Sequence, residues 1–469
     1  MHLVPQSWSH LHILIGVFPT IGLLFVLSFY AAGFATNNDF LRRTCLVMFA
    51  GLGLLGIPIY VSAAGSAADL AGNARFARAA IDTHALWGYA VFALMAATGI
   101  AAALELWRAN QEKRPTSDPY RLVLGLAAAS LLLSAISAQL GFQVNHNELK
   151  IAVSIPELST SQVWSNAHIV LNHIPTAGFV FALAFFVVAL ASDNAVMKRG
   201  SLVAFAICSV AGVPTYVAGT AAMWALTQPT IPEISKAVIN SHRDMALLTL
   251  LGLAFTGTVA WVELWRSRSS GKLAQSSLNA VLVSAIVTLA IMAETGHRGG
   301  LINHPEIRTA MDTLASDPEA GISQQLETTM REFIWFVPWQ IVHFFGYCFI
   351  FGAVAAVTLR VLGFWKNVSF AAMHRVLLIG VIGLLMNVVS GMLMMMSDSY
   401  RYVVTYTPFA PKIVLLTVGS IAVLYFTVSD RIWNVQAGQD ASLSAKWIAL
   451  AVLAAWAGVI ACGRMLAFI

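Results

Sequence analysis

Twelve stretches of this chain, near 11–35, 44–65, 84–107, 121–142, 167–191, 200–224, 241–265, 277–296, 336–360, 374–397, 411–429 and 445–466, are apolar over roughly 20 residues, the length at which a helix crosses a bilayer. Runs of that number and length leave room for little besides an integral membrane protein. The composition agrees: 58% of residues are hydrophobic and only 10% charged, against about 25% charged in an average globular chain. The expected fold is therefore all-α and polytopic, with about 12 transmembrane helices.

The first apolar run has no basic segment before it and is longer than a signal peptide's core, so it reads as a retained helix. Lys and Arg gather after the odd-numbered helices, at Arg42 and Arg43, Arg108, Lys113 and Arg114, Lys198 and Arg199, Arg266, Arg268 and Lys272, and Lys366. The positive-inside bias makes those loops cytoplasmic and puts both termini and the loops near 143–166 and 298–333 on the periplasmic side of a bacterial inner membrane. The basic pI of about 9.1 follows from this scatter of cations. It forms no continuous patch, so no nucleic-acid partner is expected. Cys45, Cys208, Cys348 and Cys462 stand singly, which disfavours c-type haem attachment and a thiolate zinc site.

The chain repeats itself. "WSHLHILIGVFPTIG" at 8–22 and "WSNAHIVLNHIPTAG" at 164–178 match at an offset of 156, as do "GIPIYV" at 56–61 and "GVPTYV" at 212–217. After a two-residue shift "IDTHALWGYA" at 81–90 aligns with "INSHRDMALL" at 239–248, and "ALELWR" at 103–108 with "WVELWR" at 261–266. Helices 1–4 and 5–8 thus read as two copies of one four-helix unit, and helices 9–12 as a third of different sequence. The expected organisation is three four-helix bundles over 1–150, 151–310 and 311–469, of the kind whose interior can hold a cofactor.

The repeat keeps histidine at three places: His12 and His168 early in the first helix, His84 and His242 at the start of the third, and His146 and His304 just after the fourth. Antiparallel connection brings these positions to one membrane face. Neutral imidazoles on facing helices suit haem iron, copper or zinc, and b-type haem needs two axial nitrogens from opposite sides. His168 and His173 lie about 140° apart on a helical wheel, so one face presents only one of them. His168 has a counterpart in His12, whereas His173 faces Val17 in the alignment and His297 faces Gln139. A single interfacial histidine is commonly just solvated. Three matched positions in two copies, in a membrane bundle where ionisable groups are costly, point instead to function.

The axial set expected is His12 with His84 and His168 with His242, with His173, His297 and His343 as alternative metal ligands. Arg243 and Arg298, each directly after a histidine, suit haem propionates because Arg pairs carboxylates bidentately. Glu105 and Glu263, in the matched "ELW", read as side chains reaching toward Arg108 and Arg266, and Glu294 as a proton group or a plain hydrogen-bonding one. The methionines of "GMLMMMS" at 391–397 could bind copper(I) or haem, but in a membrane helix they more often pack. His343 and His374 lie too far apart along the membrane normal to clamp one ring, which leaves Met394 or Met395 as the only partners for His343 that the sequence suggests.

"HIVLNHIP" at 168–175 together with "TGHRGGLINH" at 295–304 resembles a bacterial four-helix membrane domain family of unknown function, whose members begin with a His-x4-His-x-Pro helix and carry a Gly-Gly segment after the fourth helix. The likeness covers helices 5–8 well and helices 1–4 in degraded form, through Val17 and Gln139. Helices 9–12, with "VHFFGYCFIFGAVAAVTLRVLG" and "TPFAPKIVLL", more loosely resemble the copper resistance D membrane domain. The resemblance implies a redox or haem-associated membrane domain.

The function expected is that of a membrane b-type cytochrome with two haem b groups, one per repeat, near the periplasmic face. It would move electrons between a quinol and a periplasmic cytochrome or partner subunit. A copper or other metal permease is the alternative from another class, and a membrane anchor subunit without chemistry of its own is a third.

Overall fold

A computed structural model describes residue 5 and residues 7–71, 77–112, 120–145, 166–227, 236–303 and 321–466. Among them every regular element is helical. Twelve helices are long and apolar enough to cross a membrane, and the chain is an all-α, multi-pass membrane protein. They are α1 (Trp8–Ala35), α2 (Asp39–Leu70), α3 (Arg78–Gln111), α4 (Arg121–Gly141), α5 (Asn166–Ala191), α6 (Ala195–Leu226), α7 (Lys236–Ser270) and α8 (Gln275–Ile302), then α10 (Phe333–Leu362), α11 (Phe370–Ser397), α12 (Phe409–Val428) and α13 (Leu443–Met465). The short amphipathic α9 (Ile322–Arg331) precedes α10. His146 and His304 lie outside the described residues.

Local chemistry explains where the helices bend and stop. α1 and α5 are interrupted one turn after His12 and His168, where the Gly16 amide donates to the His12 carbonyl at 2.8 Å and the Asn172 amide to the His168 carbonyl at 3.0 Å. Pro19 and Pro175 follow, each without an N–H and each placed at the start of the resumed helix, where a missing donor does least harm. The turns after α1 and α5 each hold a residue in the left-handed region, Asn37 (φ 49°) and Asp193 (φ 51°). The next residue caps the following helix: Asn38 accepts from the Leu41 amide at 2.9 Å and Asn194 from the Met197 amide at 3.0 Å.

The chain forms two compact units, Met1–Ile151 with Thr176–Gly200 and Gly299–Thr309, and Ala152–Pro175 with Ser201–Arg298 and Ala310–Ile469. In the first, α1 packs on α2 and α4, and α3 on α2 and α4, closing a four-helix ring. Its core gathers Leu23, Val26, Tyr30, Phe49 and Met95 with Phe185 from α5. Phe25 stacks on Phe181 with ring centroids 5.9 Å apart, and Phe29 on Phe185 at 4.3 Å. The cap Asn38 hydrogen-bonds the cap Asn194 at 3.4 Å, across 156 positions of sequence. The two phenylalanine pairs have that same separation, since 181 − 25 = 156 and 185 − 29 = 156. A position meets its own counterpart only at a two-fold axis, so within this unit α1 and the α5 segment pack about a pseudo-two-fold.

In the second unit α10–α13 also close a ring, with α10 against α11 and α13, and α12 against α11 and α13. Lipid is as apolar as leucine, so close backbone approach and interhelical hydrogen bonds hold such helices together. At the crossing of α10 and α11, a Cβ on Gly346 would come within 2.8 Å of the Gly383 carbonyl oxygen, and one on Gly383 within 2.6 Å of the Gly346 carbonyl oxygen. No larger residue fits either place without parting the helices.

Candidate functional site

Four of the six histidines picked out by the repeat lie among the described residues, and they form two pairs. In the first unit the His12 and His84 rings lie with centroids 6.1 Å apart and planes at 61°. In the second, His168 and His242 lie at 6.4 Å and 71°. All four are half-buried.

Each ring is oriented through Nδ1. His84 Nδ1 faces the Ser137 carbonyl at 3.0 Å and His242 Nδ1 the Thr295 carbonyl at 3.0 Å, both across 53 residues. His168 Nδ1 faces the Thr215 carbonyl at 3.0 Å. His12 Nδ1 meets the Ser62 hydroxyl at 3.3 Å, and that hydroxyl donates to the Ile59 carbonyl at 2.9 Å. Ile59 aligns with Thr215 at the offset of 156, so the two first-helix histidines hang from corresponding points. A carbonyl accepts only, so the Nδ1 nitrogens of His84, His168 and His242 carry the proton and their Nε2 atoms keep a lone pair. This is the arrangement by which a metal-bound histidine is held in the correct tautomer.

Polar contacts in the α3–α4 and α7–α8 seams recur as well. Thr98 meets Ser130 at 3.0 Å, and Thr256 meets Thr288 at 3.3 Å, each across 32 residues. Thr249 also bonds the Thr295 hydroxyl at 2.7 Å, next to the carbonyl that holds His242.

Glycines lie against two of these rings. A Cβ on Gly219 would come within 2.8 Å of His168 Cε1, and one on Gly141 within 3.0 Å of His84 Cε1. His343 on α10 repeats the pattern: its Nδ1 faces the Asn387 carbonyl at 3.1 Å and the Ser390 hydroxyl at 3.0 Å, and a Cβ on Gly391 would come within 3.0 Å of Cε1. The Asn387 amide also donates to the His343 carbonyl at 3.2 Å.

The two arginines take different places. Arg243 is buried and turns NH1 and NH2 to Glu327 Oε2, each at 3.1 Å, on α9. The adjacent Asp244 accepts from the amides of Ile322 and Ser323 at 3.1 and 2.8 Å and so caps the same short helix. Arg298 donates from Nε to Glu294 at 2.8 Å and from NH1 to the Ser241 hydroxyl at 2.5 Å, beside His242. His173 opens the resumed segment His173–Ala191 of α5, and His297 lies on α8 just beyond Thr295. Glu263 binds Arg266 at 2.8 and 2.9 Å and accepts from the Ala274 amide at 2.6 Å, which joins the end of α7 to the approach of α8.

Sequence reasoning missed the residues that orient the rings. Ser62, Ser137, Thr215, Thr295, Asn387 and the three glycines had no ligand chemistry to betray them, because all but Ser62 act through a backbone carbonyl or the absence of a side chain.

Ring centroids about 6 Å apart are ordinary for an edge-to-face pair. They are also the separation of two imidazoles on one metal: a metal–nitrogen bond of about 2 Å plus about 1 Å to the ring centre, doubled, gives about 6 Å. Among the described residues no three His, Cys, Asp or Glu side chains converge on one point. Among the described residues each site brings two imidazoles together, where structural zinc takes four protein ligands and haem iron takes two axial ones. No protein-family description, curated protein or solved structure matches this chain.

Proposed function

We propose that the chain is a b-type cytochrome-like electron-transfer protein of the bacterial inner membrane. It holds one haem b between His12 and His84 and a second between His168 and His242, near the periplasmic face, and it passes electrons between a quinol and a periplasmic cytochrome or partner subunit. One observation carries this reading: two imidazole pairs stand in matched places, and three of the four rings are oriented by carbonyls on neighbouring helices, with their Nε2 atoms kept for a ligand.

Bound haem would supply one-electron chemistry. The chain's own part is to hold the imidazoles, keep their protons on Nδ1 and exclude water from the ring faces. Gly141 and Gly219 leave His84 and His168 the space their orientation needs. Arg298, held beside His242 through Ser241, is the arginine best placed to meet a propionate. Arg243 serves α9 through Glu327.

A copper permease would be expected to collect three or more ligands along a path, and Met392, Met395 and Met396 are buried packing residues of α11. The two-nitrogen sites therefore favour the haem reading. An oxidised-minus-reduced spectrum of the purified protein, with a pyridine haemochrome assay, tests it. Two haems per chain are expected, and a preparation without a Soret band sinks the proposal.

A further inference from the structure

At the far end of α7 from His242 lies a second group of polar atoms that the imidazole pairs do not use. Arg268 is 26 residues beyond His242 on that helix (268 − 242 = 26), about 39 Å away at about 1.5 Å per residue. His374, near the start of α11, is 3% exposed. Its ring lies parallel to Trp265, at 3° with centroids 6.1 Å apart, and meets Trp433 edge to face at 4.8 Å. Trp265 Nε1 donates to the His374 carbonyl at 2.9 Å, which holds the backbone and leaves the imidazole uninvolved.

His374 Nε2 is buried with no hydrogen-bond partner among the described residues. With its proton on the other ring nitrogen, Nε2 offers a buried lone pair. Arg268 sits over the face of Trp433 at 5.2 Å and gives NH1 to Asp430 at 2.7 Å, but its Nε and NH2 are likewise buried without partners. Buried polar atoms are nearly always satisfied, and unsatisfied ones call for an explanation. Here one acceptor and two donors lie unsatisfied around two indole faces.

We propose that this end of the second unit binds a quinol: a ring hydroxyl donates to His374 Nε2, an oxygen of the same ring accepts from Arg268, and Trp265 and Trp433 flank the ring. The chemistry separates this ligand from its rivals. A lipid phosphodiester would satisfy Arg268 but has no proton for His374 and no flat ring for the tryptophans. A haem would need a second axial ligand, and the rings that meet His374 are the two indoles. The proposal goes beyond the imidazole pairs and shares with the reading above only the class of ligand.

The test is binding of decylubiquinol and of decylubiquinone to the full chain in phosphatidylcholine nanodiscs, with empty nanodiscs subtracted. His374→Phe keeps a ring against both tryptophans and removes the lone pair, and should weaken decylubiquinol at least ten-fold. Arg268→Lys keeps the charge opposite Asp430, loses the free Nε and NH2 donors, and should weaken it several-fold. It is the check should His374→Phe fold poorly. Decylubiquinone, which has no hydroxyl, should bind the wild type more weakly than the quinol. Removing His168 and His242 together should halve the haem content while leaving quinol binding intact, so failure of one proposal is distinguishable from failure of the other. Unchanged quinol affinity in His374→Phe and Arg268→Lys overturns the site. So does loss of haem in place of quinol in His374→Phe, or displacement of the quinol by phosphatidylglycerol.

Discussion

His168 on α5 and His242 on α7 turn their rings toward each other at 6.4 Å, 71° apart in plane, and each has Nδ1 facing a backbone carbonyl at 3.0 Å. Hydrogen bonds to backbone carbonyls survive changes of side chain, so the orientation of the pair is a property of the helix frame. His12 and His84 repeat it at 6.1 Å. If each pair holds one haem, the pairs should fail separately. His84→Ala and His242→Ala should each lower the haemochrome content of purified protein by about half, and the double variant should leave none. Equal haem in all three would show that the imidazoles are structural.

Gly219 tests whether the ring needs its present place. A methyl group there would come within 2.8 Å of the His168 ring. Overpacking a fitted site costs about 1–3 kcal/mol when the neighbour cannot yield, and here yielding means turning the imidazole off the Thr215 carbonyl. Gly219→Ala should lower the melting temperature and the haem content together. Gly88→Ala is the matched control: nothing lies within 4 Å of its Cβ position, and alanine in a helix is favoured over glycine by about 0.5–1 kcal/mol. A Gly219→Ala protein with unchanged haem and melting temperature would mean that His168 moves freely.

The parts of this molecule that were legible in the sequence are those set by periodicity and by side-chain type. Twelve apolar runs marked the spans, and the offset of 156 brought His12 and His168 into register before any geometry was known. The pairing of His12 with His84 followed from antiparallel connection alone. The acceptors on Ser137, Thr215 and Thr295 were hidden because every residue has a carbonyl, and only the helix crossing decides which one faces an imidazole. Asn387 was hidden for a related reason: it lies mid-span in α11 between methionines that looked like better partners for His343, yet it is Asn387 and Ser390 that meet the ring. Arg243 looked like a propionate partner from its place after His242. Its contact with Glu327 spans 84 residues and a loop, which no local pattern reveals.

That contact should matter for stability. The side chains of Arg243 and Glu327 are only 9% and 7% exposed. Breaking a buried pair from one side strands the other charge and costs about 3–5 kcal/mol. Glu327→Ala should therefore lower the melting temperature well beyond Arg331→Ala, which removes the other, 63% exposed partner of Glu327 and should cost about 1 kcal/mol or less. The double variant Arg243→Met with Glu327→Leu should recover most of the loss, because no stranded charge remains. Thermal melts of the four proteins in one detergent give the comparison, and equal losses for Glu327→Ala and Arg331→Ala would refute the assignment.

Asp440, between α12 and α13, gives a dependence on pH whose sign can be stated. It takes Lys366 at 2.7 Å and Lys446 at 3.1 Å. Hydrogen bonds from the two ammonium groups hold its carboxyl below the ordinary value, which for aspartate is about 3.9. A carboxyl with a lowered folded-state pKa binds its proton more weakly in the folded chain. Its stabilisation is therefore present in full above the unfolded value and disappears as pH falls through the folded one. Asp440→Asn should melt slightly below the wild type at pH 7, and the two should converge as pH drops below about 3.9. The pair is exposed, so raising salt at pH 7 should narrow the gap in the same way. A gap that persists in acid or widens with salt would place the effect of Asp440 elsewhere than in these two ion pairs.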